Sequence, residues 1–155
     1  MKGRITVFLL ICGVLAAIGA AAESRWVLCK SYVNVRIGPG KTSEVVGRLD
    51  AGDEFETDGT RRNGFLRVLG IGENGNGWVY AGYTSTEKPE QVNERYVCVA
   101  RKRVACRRWT KGPRISGKTG WLYNGSNVTV YWKTEKWCVT NRGYIAAAWL
   151  EADPE

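Results

Sequence analysis

Short alternations of apolar and polar residues dominate the chain after its first twenty-odd positions. Val33 and Val35 alternate with Asn34 and Arg36, and Phe55 sits among Glu54, Glu56 and Thr57. Val128, Val130 and Trp132 alternate with Thr129 and Tyr131 in the same way. A period of two with one apolar face is the mark of a half-buried strand. Between the strands lie Gly38-Pro39-Gly40, Asp58-Gly59, Asn63-Gly64, Asn74-Gly75-Asn76-Gly77 and Asn124-Gly125, residue types that accept the positive φ of tight hairpins. The pattern predicts strands and turns. Only Tyr144 to Leu150 suits a helical turn, and a short 3₁₀ segment is expected there.

The order of these features occurs twice. The first run reads Val33 to Arg36, Gly38-Pro39-Gly40, Gly47 to Gly52 and Phe65 to Val68, closing on Gly77-Trp78-Val79-Tyr80-Ala81-Gly82-Tyr83. The second reads Val104 to Arg107, Gly112-Pro113, Gly120 to Gly125 and Trp137 to Thr140, closing on Gly143-Tyr144-Ile145 through Leu150. Even the lead-ins correspond, Arg25-Trp26-Val27-Leu28-Cys29 and Arg95-Tyr96-Val97-Cys98. Self-similarity on this scale predicts two copies of one unit. Thr84 to Asn93 has no apolar periodicity and reads as the connection between them.

The first residues have a different character. Lys2 and Arg4 precede an apolar run from Ile5 to Ile18 and the small residues Gly19 to Ala22. That is the layout of a secretory signal peptide cut after Ala22; the run falls short of the ~20 apolar residues of a membrane span. Cleavage leaves no transmembrane segment, lowers the formal charge from +8 to +6 and removes Cys12. The expected location is secreted or periplasmic.

Four cysteines then remain, Cys29, Cys98, Cys106 and Cys138, and an even set in an exported chain reads as disulfides. Three connectivities are open, and spacing does not choose among them. Strand parity puts Cys106 in the place of Val35 and Cys138 in that of Leu66, both inward, so a Cys106–Cys138 bridge is the first expectation. Cys29 and Cys98 would then pair across the repeats.

The first repeat resembles a bacterial SH3 domain. The family's opening apolar-Asn-Val-Arg strand is matched by Val33 to Arg36, its Gly-Pro turn by Gly38-Pro39-Gly40 and its closing Gly-Trp-Val by Gly77-Trp78-Val79. The second repeat is a degenerate copy, with Ala105 in place of the asparagine. The expectation is therefore all-β: two tandem small SH3-like β-barrels after a cleaved signal peptide. Residues 1–22 would be the signal peptide, 23–85 the first domain, 86–93 the linker and 94–155 the divergent second domain. The resemblance implies a bent, partly open barrel used as a targeting module. Such modules commonly attach to the cell wall, often to peptidoglycan peptides and often beside a hydrolase.

The chain contains no histidine, the usual base near neutral pH. Its crowded acids, Asp50, Asp53, Glu54, Glu56 and Asp58, lie on one strand and its turns and read as a solvated face. No catalytic residue, metal or cofactor is expected, and the chain is read as not an enzyme. Charge is divided unevenly, with a net −1 over residues 23–90 and +7 over 91–155. Arg101, Lys102, Arg103, Arg107, Arg108, Lys111, Arg114 and Lys118 supply most of the excess and are the polyanion-binding candidates. Tyr80, Tyr83, Tyr123, Tyr131, Trp132 and Trp149 are the aromatic candidates for ligand binding. The leading expectation is a non-catalytic secreted envelope-binding module recognising peptidoglycan or another cell-wall component. The alternatives are a periplasmic interaction factor (inhibitor, immunity protein or adaptor) gripping an acidic protein, and a secreted binder of acidic polymers. Export argues against nucleic acid as the partner.

Overall fold

The computed structural model describes residues 21–154, and the expected signal peptide lies almost wholly outside them. The first half contains β1 (Glu23–Val27), β2 (Tyr32–Arg36), β3 (Val45–Asp50), β4 (Glu54–Thr57), β5 (Arg61–Arg62), β6 (Phe65–Leu69), β7 (Asn76–Tyr80) and β8 (Thr84–Ser85). The second contains β9 (Glu90–Cys98), β10 (Arg103–Ala105), β11 (Trp121–Tyr123), β12 (Asn127–Lys133), β13 (Trp137–Thr140), β14 (Gly143–Ala146) and β15 (Leu150–Ala152). Short 3₁₀ turns at Ala81–Tyr83 and Ala147–Trp149 close the two halves, the latter where the sequence allows one. The fold is all-β and SH3-like.

In the first unit β2 pairs with β3 and meets β7, while β1 lies between β4 and β8. The second unit has some comparable pairings but joins them differently, in one five-stranded sheet β14-β13-β12-β9-β15 beside the β10–β11 pair. There β9 lies between β12 and β15, β13 pairs with β14, and Arg107 bridges to Tyr144 as Arg36 does to Trp78. Alternation decides what goes inside: Val33, Val35 and Phe55 are buried, while Asn34, Glu54 and Glu56 are exposed. Each unit has its own core, one around Val35, Leu66, Val68 and Val79, the other around Leu122, Val130, Cys138 and Ile145.

Two expectations meet a different arrangement in the structure. The connection read as residues 86–93 is half strand, because β9 starts at Glu90 and pairs with β12 as far as Lys133. Asn93 takes φ +55° beside a register shift between Val130 and Trp132, and such a bulge breaks the two-residue rhythm. The cysteines are the second case. All four are buried free thiols, so neither Cys106–Cys138 nor Cys29–Cys98 is bridged in the structure. Cys29 lies in the first core and Cys98 in the second, because the matching lead-in strands β1 and β9 belong to separate sheets. Cys106 and Cys138 are inward and share the second core, as parity requires.

The units are joined by a third apolar cluster, in which Leu28 of the first packs with Val139 and Tyr144 of the second. The Tyr144 hydroxyl donates to the Leu28 carbonyl at 2.7 Å, and the Leu28 N–H donates to the Tyr83 carbonyl at 2.8 Å. Burial pushes the Tyr144 phenol well above its ordinary value and the Cys29 and Cys138 thiols up to about 11. In the unfolded chain thiols ionise near pH ~8.5 and phenols near ~10. Unfolding therefore releases protons at alkaline pH, and stability should fall as pH rises above about 9. Urea midpoints measured from pH 7 to 11 should decline, and less steeply for Tyr144→Phe. That variant should also lose about 1 kcal/mol at pH 7, with the Leu28 carbonyl left unpaired.

Candidate functional site

The outward face of β2 begins the site. With Val33 and Val35 committed to the core, Tyr32, Asn34 and Arg36 stand on the other side of the strand. Tyr32 is 50% exposed, with the Arg48 guanidinium 5.0 Å from its ring centre. Arg36 donates to the Ser43 carbonyl at 2.7 Å and so pins the following loop, which carries Lys41. The opposite wall is aromatic. Phe65 and Tyr80 are register partners on β6 and β7 and meet edge to face at 5.4 Å, while Tyr83 stands 5.6 Å from Tyr80. Burial raises the Tyr83 phenol pKa, and the neighbouring Tyr80 and Cys29 add to that rise while Arg108 opposes it.

The wall is completed by Trp109, from the second unit. Its ring is 5.2 Å from Tyr80 and 6.4 Å from Tyr83, near-perpendicular to both. Glycines make the slot. A Cβ at Gly82 would stand 2.5 Å from Trp109 Cδ1, and one at Gly112 would stand 2.6 Å from Nε1, so no other residue lets the indole in. The loop is held in place where the Thr110 N–H and hydroxyl both donate to the Gly82 carbonyl, at 3.2 and 2.9 Å. The result is a groove of about 220 Å³, with aromatic walls and Asn34, Arg36 and Lys41 at its rim. Stacking faces beside an amide and cations suit an extended peptide bearing a carboxylate.

Residues 31–85 match the bacterial SH3 domain. That bacterial SH3 segment runs from just before β2 to the end of β8 and contains every groove residue except Trp109. No curated protein matches the chain. Among solved structures it is similar to NlpC1 from Trichomonas vaginalis, at 14% identity with a TM-score of 0.35, over 86% of this chain and 46% of that one. It is also similar to NlpC2 from Trichomonas vaginalis, at 13% identity with a TM-score of 0.36, over 86% of this chain and 49% of that one. The chain thus spans about half the length of either.

The structure separates the sequence candidates. Tyr80 and Tyr83 belong to the groove beside the bacterial SH3 segment's other residues. Trp132 instead packs at the junction, where a Cβ on Gly52 would come within 2.6 Å of its ring, and Tyr131 lies under the Lys30 ammonium at 4.9 Å. Tyr123 and Trp149 are exposed, at 51% and 44%, but line neither the groove nor the junction. The residues of the basic run have different local partners. Arg103 and Arg114 both stack on Trp121, at 4.0 and 4.8 Å. Arg107 donates to the Gly112 carbonyl at 2.7 Å, a loop-fixing bond like that of Arg36. Arg108 acts on Tyr83 and Lys111 lines the junction, while Arg101, Lys102 and Lys118 are exposed on turns.

Of the groove residues, sequence reasoning missed Tyr32, Asn34, Arg36, Lys41, Phe65 and Trp109. Tyr32 was legible from alternation, being the outward residue before Val33. Trp109 was not, since its role depends on a glycine 27 positions earlier in the chain.

Proposed function

We propose that the chain is a non-catalytic, exported cell-envelope module that grips a wall component, a peptidoglycan peptide, in the Tyr80–Trp109 groove. The observation carrying this reading is an aromatic groove with an amide and two cations at its rim, built on a segment that matches the bacterial SH3 domain. The second unit is read as a divergent copy of the first. The Arg107–Tyr144 bridge that answers Arg36–Trp78, the Arg107 bond that repeats that of Arg36, and its closing 3₁₀ turn support this. Its task is to lend Trp109 to the groove. The chain lacking residues 1–22 should co-sediment with purified sacculi, and Tyr32→Ala with Asn34→Ala should shift it toward the supernatant. A parent protein left wholly in the supernatant contradicts the reading.

The Arg103–Trp121–Arg114 stack favours a second reading, an acidic polymer or protein held on the basic unit. That reading predicts steep weakening with salt and loss of binding in Arg103→Glu with Arg114→Glu.

A further inference from the structure

Tyr80 and Trp109 have a second side. There they border a wider cleft of about 450 Å³, whose lining comes from both units. Two of its four cations are already matched: Arg25 by Glu23 at 2.8 Å, and Lys136 by Glu87 at 2.8 Å. The other two, Arg61 on β5 and Lys111 on the loop that carries Trp109, are exposed and have no acidic partner among the described residues. They approach the cleft from different units, as single charges rather than as a cluster.

Between them the lining is rich in hydroxyls. Thr84 and Thr110 give their protons to the Ala81 and Gly82 carbonyls, at 2.8 and 2.9 Å, which leaves their oxygens as acceptors. Thr86 is exposed. Half-buried Trp109 and Trp137 supply aromatic surface to the same cleft. A volume of this size falls within the ~300–1,000 Å³ of small-molecule sites. Aromatic surface matches the apolar C–H faces of sugar rings, hydroxyl acceptors match their O–H groups, and an unmatched cation matches a carboxylate.

We infer that this cleft is a binding site for an acidic saccharide, a short oligosaccharide whose rings lie along Trp109 and Trp137 while a carboxylate meets Lys111 or Arg61. The cleft shares the Tyr80 and Trp109 rings with the groove, but its saccharide reading does not rest on the wall-peptide reading. Its test is calorimetry on the chain lacking residues 1–22, with trigalacturonate as the probe and its methyl ester as the uncharged analogue. Trigalacturonate should bind, and the ester should bind at least about tenfold more weakly, the loss of one charge-assisted contact. Arg61→Gln with Lys111→Gln should give a similar loss. These side chains are exposed, so an unchanged melting temperature establishes that the double variant is folded. Arg103→Glu with Arg114→Glu, at the Trp121 stack, should leave affinity unchanged. No binding of trigalacturonate, equal binding of the ester, or binding lost only in the Trp121-stack variant would each overturn the inference.

Discussion

Replacing Gly120 with alanine is expected to unfold the second unit. A Cβ at this position would run into the Ile115 carbonyl oxygen and stand 2.6 Å from the Arg114 guanidinium. Arginine can swing away, but the carbonyl cannot. The Ile115 N–H is bonded to the Cys106 carbonyl at 2.9 Å, and the Cys106 N–H to the Gly120 carbonyl at 3.0 Å. Both backbones are therefore fixed by the same ladder, and relieving the clash means breaking it. A cost of about 3 kcal/mol or more is expected, a large share of the ~5–15 kcal/mol that holds a domain. Gly117→Ala is the control. That site has φ +73° and ψ −162°, a conformation that glycine adopts far more readily than alanine, but open space around the added methyl, so it should cost about 1–3 kcal/mol of backbone strain alone, less than the clash at Gly120. Urea unfolding followed by tryptophan fluorescence separates the two outcomes, and equal effects would contradict the packing described.

Trp109→Ala should act on stability and binding together. Full burial of such a ring is worth about 3–5 kcal/mol on truncation to alanine; Trp109 is half-buried, so about 2 kcal/mol is expected. That energy lies between the units. Each unit is small, with a modest core of its own, and the parent should melt in one transition because the junction couples them. Without the indole the melt should split into two transitions in the calorimeter. The groove also loses a wall, and affinity for a wall peptide should fall at least about tenfold. Trp109→Phe should retain most of both properties. A single unchanged transition with unchanged affinity would remove Trp109 from the account.

Much of the fold is legible in the residues. Phe55 between Glu54 and Glu56, and Val33 and Val35 around Asn34, declare their faces because one side of each strand meets a core. The inward position of Cys106 and Cys138 follows from the same parity. Parity fixes a side, however, and not a neighbour, so it says nothing about which cores Cys29 and Cys98 enter. The start of β9, before the lead-in at Arg95, escapes notice because Glu90 to Glu94 keep both faces largely in solvent and the strand bulges at Asn93. The basic run shows the same gap between sequence and neighbourhood: Arg103 stacks on Trp121, Arg107 donates to the Gly112 carbonyl and Lys111 lines the cleft, partners that closeness in sequence does not name.

The site was half legible. Tyr80 and Tyr83 come at the end of a recognisable closing motif, and Asn34 and Arg36 lie within the opening one. The contribution of Trp109 is tertiary. It depends on the absence of a side chain at Gly82, and on Leu28, Val139 and Tyr144 pressing the units together, none of which leaves a periodic trace.

The most direct measurement is a heteronuclear NMR titration of the isotopically labelled chain, lacking residues 1–22, with a soluble peptidoglycan stem peptide. The groove shared by both units predicts perturbed signals from Tyr32, Asn34 and Tyr80 together with the Trp109 indole N–H. Signals that stay in place throughout the titration, or that move only around Trp121 and Tyr123, would contradict it.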